Sequence, residues 1–330
     1  MNHIEPGELA IADLDILDRV SLRALENATL AIGRLDALGR SAEPGVQDVL
    51  ALRCSLVAAG VPPTQRREGI IAILRADGEG GSAAERLAAI CAEGATRSRA
   101  GVAPTARWVR AALGEGDDDT VPDLDARLRA MRPPHPAHPS YPGVLTALIA
   151  SHAVGAAAAD RADPAASAEP AGAGAVALAP VALAPVALSA LVLHHAGSLG
   201  GTWCALPVSA FQTSPASDLV GLAESLATAA REAALALAAG TAAMQEHDDR
   251  VRAAYGRAAH GALAVLHAFR RWTVLEIPAT ARRLRITRPT VAAAIERLEA
   301  LGLVTELTGR GRDRVWCYSA LADAMLTVPK

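Results

Sequence analysis

The side chains with the most definite chemistry are those of Thr287-Arg288-Pro289-Thr290 and the arginines of Arg310-Gly311-Arg312-Asp313-Arg314. Guanidinium groups present a fixed donor fork that matches phosphate oxygens and the edge of guanine, and threonine hydroxyls both donate and accept. What these residues offer is recognition of a polyanion rather than bond-making. Residues 271–318 hold nine arginines (271, 282, 283, 285, 288, 297, 310, 312, 314) against five acids (Glu276, Glu296, Glu299, Glu306, Asp313), a local balance of +4 in a chain of net charge −3. The remaining residues therefore carry −7, and this asymmetry favours an anionic partner at the C-terminal end. Lys330 is the only lysine, so the location of the arginines tells more than their number.

Other reactive side chains form no site of their own. His194-His195 precedes a glycine-rich step, but no carboxylate or cysteine stands near it at ligand spacing, and helix-end capping is the simpler role. His135 and His138 lie in the proline-rich connector 132–143, which supplies no fixed geometry. Asp117-Asp118-Asp119 reads as a solvated acidic run. Cys54, Cys91, Cys204 and Cys317 are widely separated, the pattern of reduced thiols in a cytoplasmic protein rather than a zinc site or disulfide framework. The expectation is no metal, no cofactor and no catalytic residue.

The elements that position the arginines follow from local signals. A helix is expected from Pro278 to Leu284, a tight turn at Arg285 and Ile286, and a second helix opening at Thr287. Thr287 is the N-cap, and Pro289 in the first turn has no N–H to lose. Val291, Ala294, Ile295, Leu298 and Leu301 recur at the spacing of a buried stripe, leaving Thr290, Ala293 and Arg297 on the opposite face. Gly302 supplies a left-handed residue past the helix end. Strands are expected from Leu303 to Leu307 and from Val315 to Tyr318, joined by an arginine-tipped turn. This order is that of a winged helix-turn-helix. Thr287, Arg288, Thr290 and Arg297 are then placed for a major groove, and Arg310, Arg312 and Arg314 for the DNA backbone or a minor groove.

The rest of the 330-residue chain reads as helical, with few aromatics and cores of Ala, Leu, Val and Ile. Helices are expected at 8–40, Val46 to Ala59 and Thr64 to Arg75, then as short pieces at 83–93, 104–113 and 123–131, and at 144–154. Between them and the C-terminal part lie a low-complexity tract, a triple VALAP-type repeat at 176, 181 and 186, and a long helix from Asp218 to Ala239. Gly240-Thr241 is expected to break that helix before further helices at Ala242–Tyr255 and Ala258–Arg270. The apolar stretch 171–193 contains Pro180 and Pro185 and lacks flanking anchors, so no membrane span is expected. The N-terminus is acidic and carries no secretory signal pattern.

LRALENATLAIGRLDALGR at 22–40 and RPTVAAAIERLEALGLVTELTGRGRDRVWCYSAL near the end resemble the two ends of multi-domain bacterial Fic (Fido) proteins. The resemblance implies an all-α Fic-like bundle over 1–253 and a winged helix-turn-helix over 254–330. It also implies transfer of AMP from ATP, with magnesium, through a loop of the form His-x-Phe-x-Asp/Glu-Gly-Asn-Gly-Arg-x-x-Arg. No such string exists here. The best placement, within about 160–180, keeps only Gly172 and Gly174 of a phosphate loop; Ser167 stands for the base, Ala171 for the metal carboxylate, and Ala175 and Leu178 for the arginines. The family's inhibitory helix is matched only by the frame of Ser55 and Gly60, without its glutamate. A catalytically inactive Fic-like domain fused to a DNA-binding module, working as a homodimeric regulator or scaffold, is the resulting expectation. The alternatives are an adenylyltransferase using His194 or His152 as base, and a protein-interaction module that does not touch DNA.

Overall fold

The computed structural model describes residues 19–58, 60–75, 219–310 and 313–327, with single residues at 91, 94, 193, 199 and 206. These residues are mostly helical with one small sheet. The chain forms α1 (Arg19–Ser41), α2 (Pro44–Ala58) and α3 (Arg66–Arg75), then a long α4 (Leu219–Tyr255) and α5 (Ala259–Arg271). It continues through β1 (Val274–Glu276), α6 (Ile277–Leu284), α7 (Arg288–Ala300), β2 (Thr305–Glu306), β3 (Val315–Cys317) and α8 (Ser319–Leu326). The expected short helices at 83–93, 104–113, 123–131 and 144–154, the VALAP repeat and the apolar stretch 171–193 lie outside the described residues. Among the described residues no helix is long and apolar enough to cross a membrane.

Small side chains set the packing. In α4, Ala223, Ala227, Ala230, Ala233, Ala234 and Ala236 are buried, which lets α1 lie close along it through Leu25, Ala28, Ile32 and Leu35. Leu25, Ala28, Ile32 and Leu35 are therefore the core face of α1. On α4, Leu226 and Leu237 are buried beside these alanines.

The break expected at Gly240-Thr241 does not occur: α4 runs unbroken for 37 residues. A glycine inside a helix costs about 1 kcal/mol against alanine, but here it makes room for α8. A Cβ at Gly240 would lie 2.8 Å from Met325 Cγ and 2.9 Å from its sulfur. Thr241 keeps to the helix by donating its hydroxyl to the Leu237 carbonyl at 2.9 Å. Glycine here marks close approach of a neighbour, a role that local sequence cannot distinguish from helix termination.

Two elements are not apparent from the sequence pattern. β1 is three residues long, too short to show alternation, and exists because β3 offers it a partner: Val274, Leu275 and Glu276 align antiparallel with Cys317, Trp316 and Val315. β3 also pairs with β2, giving the order β1-β3-β2. The second is α8, which packs on α4, α2 and α3 and buries Leu321, Ala322 and Met325.

Polar groups fix how these pieces meet. His247 and Asp248 of α4 are both buried. The Asp248 carboxylate accepts from Arg270 Nη2 at 2.6 Å and lies 3.2 Å from His267 Nε2, both on α5. Arg270 also donates to the Met244 carbonyl at 2.7 Å. His247 Nδ1 is 2.6 Å from the Tyr318 hydroxyl, which follows β3. Thr273 donates to Asp48 of α2 at 3.3 Å, and Arg67 of α3 pairs with Asp323 of α8 at 2.7 Å. The Arg67–Asp323 pair is half-exposed and adds little; the buried contacts carry the register.

Two predictions follow from this packing. At Gly45, a Cβ would fall 2.5 Å from the Arg270 carbonyl oxygen and 2.9 Å from the Phe269 oxygen, both backbone atoms that cannot swing aside. Gly45→Ala should therefore destabilise by about 1–3 kcal/mol despite alanine's better helix propensity, measured as a lower midpoint in thermal or urea unfolding. Burial, reinforced by Arg250, holds the His247 pKa below its ordinary 6.5. The unfolded chain thus binds a proton near pH 6.5 that the folded chain refuses, and stability present above that pH is lost as pH falls toward the folded value. His247→Gln should flatten the decline of the unfolding midpoint between pH 7.5 and 5.5.

Candidate nucleic-acid interface

α7 begins where the sequence places it. Thr287 has extended dihedrals and its hydroxyl oxygen accepts from the Thr290 N–H at 3.3 Å, while the two hydroxyls are 2.8 Å apart. The cap fixes the helix start with Thr287, Arg288, Pro289 and Thr290 all exposed. Val291, Ala294, Ile295 and Leu298 are buried on the other side. Preceding the cap, Arg285 takes a left-handed conformation (φ 55°) that closes α6. The Ile286 N–H reaches back to the Ala281 carbonyl at 3.1 Å. An arginine in this conformation is unusual, since such positions favour glycine or asparagine.

The other end of α7 is held by α4 and the turn after it. Tyr255 donates to the Arg297 carbonyl at 2.8 Å, and Arg250 donates to the Leu301 carbonyl at 2.8 Å. The Arg297 side chain, expected to project toward a groove, is instead turned inward: Nη1 donates to the Ala258 carbonyl at 2.9 Å and the guanidinium lies 5.6 Å from the Tyr255 ring centre. Its geometry is that of a brace. Gly302 is left-handed (φ 67°) as expected, and the Leu303 N–H caps back to the Leu298 carbonyl at 2.9 Å.

The hairpin is tied at its root by one carboxylate. Glu306 accepts from the Thr308 N–H at 2.8 Å, from the Thr308 hydroxyl, and from the Gly309 N–H at 2.9 Å. These donors, the Thr308 hydroxyl foremost, hold the Glu306 pKa below its ordinary value. Gly309 (φ 61°) and Asp313 (φ 53°) provide the left-handed steps of the turn. Arg310 and Arg314 are exposed, and Arg314 Nε donates to the Arg310 carbonyl at 3.1 Å. Arg312 lies outside the described residues. The strands are shorter than the expected 303–307 and 315–318, although the Leu307 N–H still bonds the Val315 carbonyl at 2.7 Å.

Seven of the nine arginines divide by role. Arg271 and Arg283 flank the Trp272 ring at 5.5 and 4.7 Å, Arg297 braces α7, and Arg285 forms the turn. Arg288, Arg310 and Arg314 are exposed at the two places whose spacing first suggested a polyanion. Glu306 and the Tyr255–Arg297 brace were not singled out by the sequence; a glutamate two and three residues before Thr-Gly is the only local signal for the former.

Ser55 and Gly60, the frame of the expected inhibitory helix, lie within and just after α2. Ser55 is fully buried and donates to the Ala51 carbonyl at 2.7 Å, a helix-internal bond. Gly60 is exposed with φ 72° and ends α2, its N–H bonding the Val57 carbonyl at 3.0 Å. Gly172, Gly174, His152, His194 and His195 lie outside the described residues. Cys54, Cys91 and Cys317 are buried, and burial pushes the Cys317 pKa up to about 11. No protein-family model and no curated protein matches the chain.

Because the folded Glu306 pKa is depressed, its clamp is complete above the ordinary value of 4.5 and is lost as pH falls through the folded value. The Thr308 and Gly309 amides should accordingly be protected from hydrogen exchange at pH 6 and lose that protection in acid, with Glu306→Gln showing weakened protection throughout.

Proposed function

We propose that residues 254–330 form a winged helix-turn-helix that binds DNA, and that the chain is a DNA-binding regulator or scaffold acting as a homodimer in the cytoplasm. The observation that carries this reading is the capped, exposed start of α7, bearing Thr287, Arg288 and Thr290, together with a clamped hairpin bearing exposed Arg310 and Arg314. A helix presented by its N-terminal turn suits a major groove, and hairpin arginines suit phosphates or a minor groove. The succession helix, short strand, helix, turn, helix and hairpin supports the same reading. Arg297 has a positioning role in it, keeping α7 oriented rather than touching bases.

For residues 1–253 we propose an inactive Fic-like domain. Its support is the sequence: the loop that would supply a general base, a magnesium carboxylate and phosphate arginines is missing, and a general base alone contributes roughly two to four orders of magnitude in rate. The domain's part would be to orient the DNA-binding module and its partner copy, with no nucleotide cofactor.

Fluorescence anisotropy of mixed-sequence duplex DNA across a salt series tests the proposal. Wild type should bind with a steep salt dependence, and Arg310→Ala/Arg312→Ala/Arg314→Ala should lose up to about 0.9 units of log–log slope per phosphate contact removed. Absence of binding at low salt in both proteins would reject the DNA reading and leave a protein-interaction module in its place.

A further inference from the structure

The exposed face of α1, opposite the core face of Leu25, Ala28, Ile32 and Leu35, carries a row that repeats every four residues: Leu22, Glu26, Leu30, Arg34 and Leu38. Leu22 is 40% and Leu30 66% exposed. Glu26 and Arg34 are exposed on either side of Leu30, and Leu38 is half-buried. Scattered leucines on a surface are ordinary; the charges set among these make the row distinctive. Neither Glu26 nor Arg34 has a hydrogen bond or an ion pair among the described residues, whereas Arg40 of the same helix is held by Asp36 at 2.6 Å. The row is also a palindrome. Counted outward from Leu30, a charge stands four positions to each side, acid before and base after, and a leucine stands eight positions to each side.

We propose that this face pairs two copies of the chain, α1 against α1, antiparallel about a twofold axis at Leu30. A contact of this symmetry sets one patch against itself, so Leu30 meets the partner's Leu30, Glu26 comes opposite the partner's Arg34 and Leu22 opposite the partner's Leu38. Both charges are answered, and an ion pair closes on each side of the central leucines. The same symmetry sets Arg23 opposite the partner's Ala37, so no like charges meet. Residues four apart form the ridges that interdigitate when two helices cross. A parallel pairing in register would set Glu26 on Glu26 and Arg34 on Arg34, and that juxtaposition of like charges disfavours it. The pairing gives the homodimer of the proposed regulator its contact surface. Because α1 lies along α4, whose far end holds α7, it would set the separation of the two copies' α7 helices; that use of the dimer rests on the DNA reading, and the pairing itself does not.

Sedimentation velocity of the full chain over about 1–100 µM tests the pairing without DNA. Wild type should pass from monomer to dimer across this range. Glu26→Arg and Arg34→Glu should each weaken association about tenfold or more, since either change alone opposes like charges. Mixed in equal amounts, the two variants should associate as wild type does, because the antiparallel heterodimer matches every charge. Both substitutions are on exposed positions, and unchanged melting curves would show that the variants are folded. A wild type that stays monomeric, single variants that associate as well as wild type, or a mixture that does not recover would each overturn the proposal. Leu30→Asp tests whether the chain covers this face itself: lost association with an unchanged melting curve supports the pairing, and a lowered melting midpoint in a protein whose wild type is monomeric overturns it. A protein that passes these comparisons and binds no DNA would uphold the pairing and overturn the functional reading; DNA binding by a wild type that stays monomeric would overturn the pairing alone.

Discussion

A buried carboxylate on α4 sets the arrangement of the C-terminal half. The buried Asp248 carboxylate is met by Arg270 and His267 of α5 and by Arg252 one turn along α4, and a buried charge stripped of its partners costs several kcal/mol. The residue before it, His247, meets Tyr318. One turn of α4 thus specifies where α5 lies and where the chain leaves β3. From α5 the consequences spread in two directions: Gly45 admits α2 against the Arg270 backbone, and α7 packs on α5 through its buried stripe.

Much of the C-terminal part was legible because its signals are local. An N-cap, a proline in the first turn, an apolar stripe and a glycine after the helix each act within a few residues, and α7 begins and ends where they say. What could not be read depends on partners distant in sequence. Nothing in Val274-Leu275-Glu276 announces a strand; the strand exists because β3 lies beside it. Gly240 carries the mark of a helix end, yet its meaning comes from Met325, 85 positions along the chain from it by residue number.

The candidate site shows the same division. Thr287, Arg288 and Thr290 are on view because capping geometry dictates it. Arg297 occupies the expected face of α7, but a long flexible side chain goes where its best acceptor is, and the Ala258 carbonyl and Tyr255 ring supply one. Arginines in this chain serve as stacking partners, braces and turn formers as well as exposed charges. Counting them gives the sign of the field, while only their contacts give their roles.

The uninterrupted α4 has a mechanical consequence. At about 1.5 Å per residue its 37 residues reach roughly 55 Å, from the stretch lined by α1 to the end where Arg250 and Tyr255 grip the last turn of α7. A rod of that length is a lever. Tilting it by about 5° at one end displaces the other by roughly 5 Å, close to the rise of a helical turn, so a slight shift of α1 would arrive at α7 as a displacement large enough to change which surface it meets.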